Sequence, residues 1–280
     1  MRPYGVSVVA RLTLLEARRR RITLAALAGG LACVLIFAVS VHLIAGTAAM
    51  RDAPLVVHRL QLQMLTIAGL YAVNFLIVAA AVLLPVDTLS GEIASGVMQT
   101  LAAKPVPRSS IVLGKFLAYW IMLAVYLAVL VLGVVLSMRL FGGFAQPHVP
   151  AAMALMLLEA TVLLSIVFAG GVHLSTVANG VVGFAFYAVA FIGGWIEQIG
   201  VVAMRSVDAR YIGTVISLAS PADAVWRLAL HVLEPPVMSQ VLLTPFSAVS
   251  VPTPAMVWWT VAFVIAALSF AVVQFGRRAL

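Results

Sequence analysis

The stretch that decides the fold runs from Leu84 to Trp120 and reads LPVDTLSGEIASGVMQTLAAKPVPRSSIVLGKFLAYW. It is a polar block between two long apolar runs in a chain that is otherwise very poor in charge. Of the 280 residues, 64% are hydrophobic and 9% are charged. A soluble domain carries about 25% charged residues, so this composition cannot supply a water-facing surface. The block is therefore the segment at which a soluble partner can bind this chain if it is a membrane protein.

Six apolar runs are long enough to cross a membrane, because about 20 helical residues span a hydrocarbon core of roughly 30 Å. The runs are continuous and do not alternate, which favours helices over the strands of a membrane barrel. We therefore predict an all-α polytopic membrane protein with six transmembrane helices, over about Ile22–Ala45, Met64–Val86, Ile111–Met138, Ala151–Ser175, Val181–Met204 and Ala255–Phe275.

The basic residues predict the orientation. With the N-terminus inside, the inner segments hold eleven of the 17 Lys and Arg residues: Arg2, Arg11, Arg18, Arg19, Arg20, Arg21, Lys104, Arg108, Lys115, Arg277 and Arg278. By the positive-inside rule, both termini are expected in the cytoplasm, with the chain in the inner membrane. The net charge of +8 is then explained by anionic lipid headgroups, so membrane lipids and not nucleic acid are the expected partners.

The N-terminal 21 residues are expected to form a helix at the membrane interface. Val8, Leu12 and Leu15 share one face, and Glu16 and Arg20 form an i, i+4 pair. A disordered basic tail is the alternative. The apolar run that follows is longer than the core of a cleavable signal peptide, so we expect it to be a retained first span.

The polar block, residues 87–110, predicts an amphipathic surface helix from Ser90 to Ala103. Glu92 and Gln99 fall on one arc and Ile93 and Leu101 on another, and prolines after residue 104 prevent its continuation. A helix of this kind is suited to act as a lever that a soluble motor protein pushes. An ordinary connecting loop with a solvated face is the alternative.

The pattern D-x-x-S-G-E-x-x-S-G-x-x-x-x-L-x-x-K-P-V-x-R-x-x-x-x-x-G-K, which begins at Asp87 and ends at Lys115, resembles the signature of ABC type-2 transporter permeases. It is closest to the branch that contains permeases of nitrous-oxide-reductase maturation systems. A weaker similarity is the run from Ser220 to Ala224, which resembles an Asn-Pro-x-Asp-Ala sequence of the same branch. This chain departs from the family by carrying less charge around Glu92.

The resemblance implies a permease subunit of an ATP-driven transporter, working with two copies of a separate ABC ATP-binding subunit. A second permease copy is implied as well, as a homodimer or as a heterodimer with a relative. It also implies an ATPase-contacting set, which comprises Asp87, Ser90, Gly91, Glu92, Ser95, Gly96 and Gln99.

The chain itself lacks the phosphate-binding loop G-x-x-x-x-G-K-[ST]. Gly114 and Lys115 are followed by Phe116, and Ser109 stands where the first glycine is required. ATP and Mg are therefore expected only in the partner, and this chain is expected to be neither an enzyme nor a cofactor-binding protein. One cysteine and five histidines without an i, i+4 pair also predict no metal site.

The long outer segment, residues 205–254, predicts a helix that starts near Ser220 and runs to about Leu233, with Trp226 at headgroup level. This helix either dips into the outer leaflet near the exit of a pathway or forms a lid packed on the bundle.

Carboxylates inside the spans are the expected substrate contacts, since an isolated charge in hydrocarbon is costly. Glu159 and Glu197 lie in the fourth and fifth spans, and Tyr71 and Asn74 lie in the second. They predict a pathway lining, with a cation or polar-substrate site between the two glutamates. The alternative is an interhelical hydrogen bond.

Together these features predict one transmembrane permease domain over residues 1–280 that couples ATP hydrolysis in the partner to export. A membrane anchor or sensor subunit that moves no solute is the alternative function. No dense cluster of ligand-binding residues indicates the substrate.

Overall fold

The computed structural model describes residues 3–47, 52–96, 107–203, 207–233 and 251–278. All regular structure within these ranges is helical. The helices are α1 (Pro3–Ala17), α2 (Arg21–Ala45), α3 (Leu55–Leu83), α4 (Ser90–Ala94), α5 (Arg108–Phe141), α6 (Val149–Gly171), α7 (Thr176–Ala203), α8 (Val207–Ala219), α9 (Ala222–Leu233) and α10 (Ala255–Arg277).

Six of these helices are long and apolar enough to cross a membrane, namely α2, α3, α5, α6, α7 and α10. The predicted all-helical fold with six spans is therefore confirmed. In hydrocarbon every backbone polar group needs an internal partner, and a helix supplies one within its own segment. The third span is longer than predicted, because α5 begins at Arg108 and ends at Phe141.

Helix α6 lies at the centre of the bundle and contacts α3, α5, α7, α9 and α10. In the most apolar windows of α3 and α6, 61% and 56% of the residues are buried, against 6% in α2 and 17% in α10. The peripheral helices therefore present their apolar side chains outward, to lipid or to another protein. We name the end of the bundle that carries Arg18–Arg21 the basic end.

Helix α1 packs against the first turns of α5. Its buried face is made of the small residues Ala10, Thr13 and Ala17, which let the two backbones approach closely. At the crossing, a Cβ atom on Gly114 would lie 2.7 Å from the Cβ of Val9 and 2.8 Å from the carbonyl oxygen of Val6.

The predicted apolar stripe of α1 lies on its other side. The side chains of Val8, Leu12 and Leu15 are 53%, 60% and 51% exposed, and the predicted pair of Glu16 and Arg20 is present at 2.6 Å. An apolar face that stays exposed suits an interfacial helix, whose location in the membrane interface remains a prediction.

The segment between α7 and α10 differs from the prediction, because it holds two helices where one was expected. Helix α8 packs back along α7, and α9 follows after a tight turn. At that turn the hydroxyl of Ser220 donates to the carbonyl of Phe186 on α7 at 3.1 Å. Residues 205–206 and 234–250 of the predicted outer segment lie outside the described residues.

The turn between α8 and α9 reaches deep into the bundle. Phe186 is ten residues after the start of α7, which corresponds to about 15 Å at 1.5 Å per residue. This position is close to the middle of the 23-residue apolar part of α7. The two helices thus form a re-entrant hairpin, and the indole of Trp259 on α10 donates to the Leu218 carbonyl beside its tip at 3.0 Å.

Helix α9 is buried and does not lie at a bundle surface. Trp226 is 2% exposed and meets the ring of Tyr71 edge-on, with ring centroids 4.9 Å apart, so its predicted position at headgroup level is wrong. At the end of α9 the carbonyl of Leu233 accepts hydrogen bonds from Gln63 at 3.0 Å and Gln146 at 2.7 Å. These amides satisfy a carbonyl that a helix end leaves without a partner.

Replacement of Gly114 by Val is expected to push α1 off α5, because the added Cβ meets backbone and not a movable side-chain end. Overpacking of this kind costs about 1–3 kcal/mol. Thermal unfolding of the purified protein in detergent measures the loss.

The matched control is Gly29→Val in α2, since no atom lies within 4 Å of a Cβ at that position. Equal losses for the two variants would show that the contact of Gly114 with α1 contributes nothing beyond the helix propensity of glycine.

Candidate functional sites

The polar block forms a compact turn at the basic end. Helix α3 ends at Leu83, and α4 covers only Ser90–Ala94. The predicted continuous helix to Ala103 is therefore too long. Gly96 has φ +74°, a left-handed conformation that glycine adopts without steric cost and that commonly ends a helix. Residues 97–106, including the predicted contact residue Gln99, lie outside the described residues.

A buried ion pair holds this turn to α5. The carboxylate of Glu92 pairs with the ammonium of Lys115, and their side chains are 12% and 5% exposed. One residue of the preceding turn also contacts α5, since the hydroxyl of Thr88 donates to the Tyr119 hydroxyl. The side chain of Glu92, which we expected to point toward a partner, is thus turned into the protein.

Helix α7 provides the second attachment. The hydroxyl of Thr176 at its start donates to the carboxylate of Asp87 at 3.0 Å and lies 3.1 Å from the hydroxyl of Ser90. The amide of Asn179, one turn further, donates to the carbonyl of Val86 at 3.4 Å. The guanidinium of Arg20 adds a weaker contact, 3.8 Å from the Asp87 carboxylate.

The predicted ATPase-contacting residues therefore differ in what they expose. Ser90 is buried, while Gly91 packs against the side chain of Asp87. The Asp87 side chain is 53% exposed, and Ser95 is exposed as well. Asp87 and Ser95 have exposed side chains, whereas Glu92 and Ser90 hold the turn in place. Contact with an ATPase stays a prediction for the whole set.

Three residues of the recognised pattern connect α5 to three different elements. The guanidinium of Arg108 donates to the carbonyls of Gly276 and Arg278 at 3.2 and 2.7 Å, at the C-terminal end of α10, where a cation also favours the helix dipole. Gly114 meets α1 and Lys115 binds α4. The start of α5 is thus the point at which α1, α4 and α10 meet.

A second polar site lies within the spans. The amide nitrogen of Asn74 on α3 donates to a carboxyl oxygen of Glu159 on α6 at 3.3 Å, and both side chains are buried. The other carboxyl oxygen of Glu159 has no hydrogen-bond partner in the described part of the chain. This arrangement contains the interhelical hydrogen bond that was the alternative interpretation.

Glu197 belongs to a separate cluster around Arg227. The guanidinium lies 3.0 Å from the carboxylates of both Glu197 and Asp223 and 3.0 Å from the hydroxyl of Ser217. These residues belong to α7, α8 and α9, and all but Ser217 are buried. Gly194 contacts the Asp223 carboxylate, so a larger residue there would displace it. We name these four polar residues the Arg227 cluster.

The Arg227 cluster borders a cavity of about 240 Å³ between α7, α8, α9 and the start of α10. Glu197, Ser217 and Arg227 line one side of the cavity, and Met256 lines another. Buried charges of both signs beside an open space offer hydrogen bonds to a polar solute. Of the predicted pathway residues, Glu197 lies here, Asn74 and Glu159 form their own pair, and Tyr71 packs on Trp226.

Arg227 and Asp223 were missed as site residues by the sequence interpretation. Their i, i+4 spacing on one helix was a usable signal, because a buried Asp and Arg at that spacing pair within the helix. The partnership with Glu197, 30 residues away, has no signal in the sequence pattern.

The geometry first defines the class of protein. It is a multi-pass membrane protein whose apolar helices are connected by a polar turn and by a buried ion-pair cluster. Residues 8–280 match the family described as ABC-2 family transporter protein. The chain belongs to this family and is an ABC-2 type permease, a membrane transport subunit that works with an ABC ATPase subunit. No curated protein matches the chain.

Replacement of Lys115 by Met is expected to lower the free energy of unfolding by about 3–5 kcal/mol, because it leaves the Glu92 carboxylate buried without a cation. A second change in the same chain, Glu92→Gln, removes that charge and is expected to restore most of the loss. Unfolding of both variants in detergent measures the coupling energy.

The control is Glu16→Gln, which breaks a pair whose carboxylate side chain is 54% exposed and should cost below about 1 kcal/mol. If the double variant is as unstable as Lys115→Met, the pair is not the interaction that holds the turn.

Proposed function

We propose that this chain is the permease subunit of an ATP-driven exporter, in which a separate ATPase subunit acts on the turn around α4. The observation that carries the proposal is the attachment of that turn to two spans, through Lys115 on α5 and Thr176 on α7. A partner that moves α4 therefore moves the starts of both spans together with the end of α3.

A buried ion pair suits the transmission of force. Lys115 and Glu92 cannot separate without leaving two largely buried charges unpaired, so α4 and α5 move as one body. Well-packed elements of this kind exchange between discrete arrangements rather than deforming continuously. ATP-driven movement at α4 would thus tilt α3, α5 and α7 and change which side of the membrane the pathway faces.

Two of these spans, α3 and α7, also carry polar residues further from the basic end of the bundle. Helix α3 contributes Tyr71 and Asn74, α7 contributes Glu197, and the fixed partner Glu159 stands on the central helix α6. Tilting of α3 and α7 against α6 would open the space beside these side chains to a solute. We assign the pathway lining to Tyr71, Asn74, Glu159 and Glu197 on this basis.

A complete transporter would hold two ATPase copies and a second permease, most simply another copy of this chain. Helix α7 supports this assembly, because its exposed residues Val177 and Val181 border an open apolar groove of about 600 Å³ beside the end of α3. ATP and Mg belong to the partner in this scheme. In the same scheme the chain spans an inner membrane and both of its termini lie in the cytoplasm. We propose that it belongs to the branch of nitrous-oxide-reductase maturation permeases.

A cysteine at position 95 is expected to crosslink to the ATPase subunit. Cys33 is the one cysteine of the chain, so Cys33→Ala supplies a clean background, and the exposed Ser95 then accepts Ser95→Cys. The assay is crosslinking in membranes that contain both subunits, combined with labelling by a membrane-impermeant maleimide added to either side.

The matched control is Leu140→Cys in the same background, an exposed position, 67% accessible, near the other end of α5. The proposal is supported if the cysteine at position 95, and not the one at position 140, crosslinks to the ATPase subunit and is labelled from the cytoplasmic side. Periplasmic labelling of Ser95→Cys would overturn the orientation, and absence of any ATPase crosslink would favour the alternative role as an anchor or sensor.

Glu159→Gln tests the pathway. Gln keeps an oxygen for the hydrogen bond with Asn74 but removes the ionisable group, so we expect lower ATPase turnover of the reconstituted complex with an unchanged thermal midpoint. Leu155→Met, one turn away on the same helix, is the control for repacking. Unchanged turnover and unchanged transport for Glu159→Gln would leave Glu159 a purely structural role.

A further inference from the structure

An apolar groove of about 270 Å³ lies between α1, α2 and α5, at the basic end of the bundle. Leu14 of α1, Leu27 of α2 and Val125 of α5 line its walls, with Arg18 among the lining residues. Leu84, just past the end of α3, also lines the groove, but no residue of α4, of the Arg227 cluster or of the apolar groove beside α7 does. It therefore serves none of the roles assigned above.

The walls of the groove favour a hydrocarbon chain. The hydroxyl of Tyr126, one of its lining residues, donates to the carbonyl of Ala26 at 3.0 Å and so is already satisfied. Tyr126 and Thr23 are themselves buried. A polar ligand would lose its water here without gaining hydrogen bonds, which costs free energy, whereas an alkyl chain only gains contacts.

Arg18 adds a charge where the groove meets the basic run. It is the first of four consecutive arginines, Arg18–Arg21. In the described residues, Arg20 pairs with Glu16 and approaches Asp87, but no ion pair involves Arg18 or Arg19. An exposed guanidinium beside an apolar trough complements an amphiphile with an anionic head and an apolar tail.

We propose that this groove binds one anionic phospholipid, with an acyl chain along Leu27 and Val125 and the phosphate against Arg18. The junction of α1 and α2 is the start of the first span, which is the level of the headgroups. Basic pockets between membrane helices are known to take such headgroups. The lipid would contact α1 and α5 together and so would reinforce the same crossing that Gly114 makes close.

Native mass spectrometry of the purified full chain tests the site, with phosphatidylglycerol or phosphatidylcholine added at equal amounts. Arg18→Gln is expected to lower the preference for phosphatidylglycerol about fivefold, the factor for one arginine near an anionic surface. Arg19→Gln is the matched control, because it belongs to the same basic run but does not line the groove, and its preference is expected to stay unchanged.

Two further variants test the acyl-chain part of the site. Leu27→Trp and Val125→Trp fill the groove and are expected to reduce bound phosphatidylglycerol. The controls Leu35→Trp and Leu132→Trp lie on the same two helices at exposed positions, 57% and 64% accessible, outside the groove. Two independent blocking positions keep the test decisive if one variant does not fold.

Selective loss at Arg18, Leu27 and Val125 supports the proposal. Two results together would overturn the proposal: equal effects of Arg18→Gln and Arg19→Gln, and no difference between the blocking variants and their controls. The lipid would then be bound only as part of the general layer of lipid around the protein. The readout does not depend on ATPase partnership or transport.

Discussion

The ion pair of Lys115 and Glu92 fixes how the basic end of this bundle is organised. In a lipid environment apolar side chains gain nothing by leaving hydrocarbon for a protein interior, so helix contacts need another source of specificity. Lys115 provides it by binding α4 from α5. Once α4 is held, Asp87 and Ser90 stand within reach of Thr176 and bring the start of α7 to the same place. The ion pair thus links α4 to α5 and, through Asp87 and Ser90, to the start of α7.

The Arg227 cluster has the same physical role in the other half. Arg227 joins α7, α8 and α9 by carboxylates and a hydroxyl, and close contacts at Gly194 leave no room for a different register. The consequence is a hairpin whose non-helical tip lies near mid-bundle. Backbone of this kind survives at membrane depth only where protein buries it. Here the indole of Trp259 donates to the Leu218 carbonyl beside the tip, and the Ser220 hydroxyl joins the tip to the Phe186 carbonyl of α7. Both polar centres therefore set geometry that apolar packing alone leaves undefined.

Hydropathy sufficed to predict the six spans, because length and apolar composition are local properties of the chain. The failures have a different origin. Trp226 suits a headgroup position by residue type, but α9 is enclosed by α6 and α7, and tertiary contacts decide its place. Helix α8 was not predicted, because its 13 residues include Asp208 and Gly213 and do not form the long apolar run by which the spans were found. Glu92 was expected to face a partner, yet its cation stands 23 residues later, and no sequence pattern states which charges meet.

These contacts change how the recognised pattern between Asp87 and Lys115 is interpreted. A motif shared by permeases invites the view that each of its residues touches the ATPase. Here Arg108, Gly114 and Lys115 contact α10, α1 and α4 within the same chain, and a side chain engaged in a buried contact cannot also serve a partner. Under the proposed function, contact with an ATPase would involve the exposed Asp87 and Ser95. The motif therefore mainly specifies how the turn around α4 is built, and among its described residues only Asp87 and Ser95 keep exposed side chains.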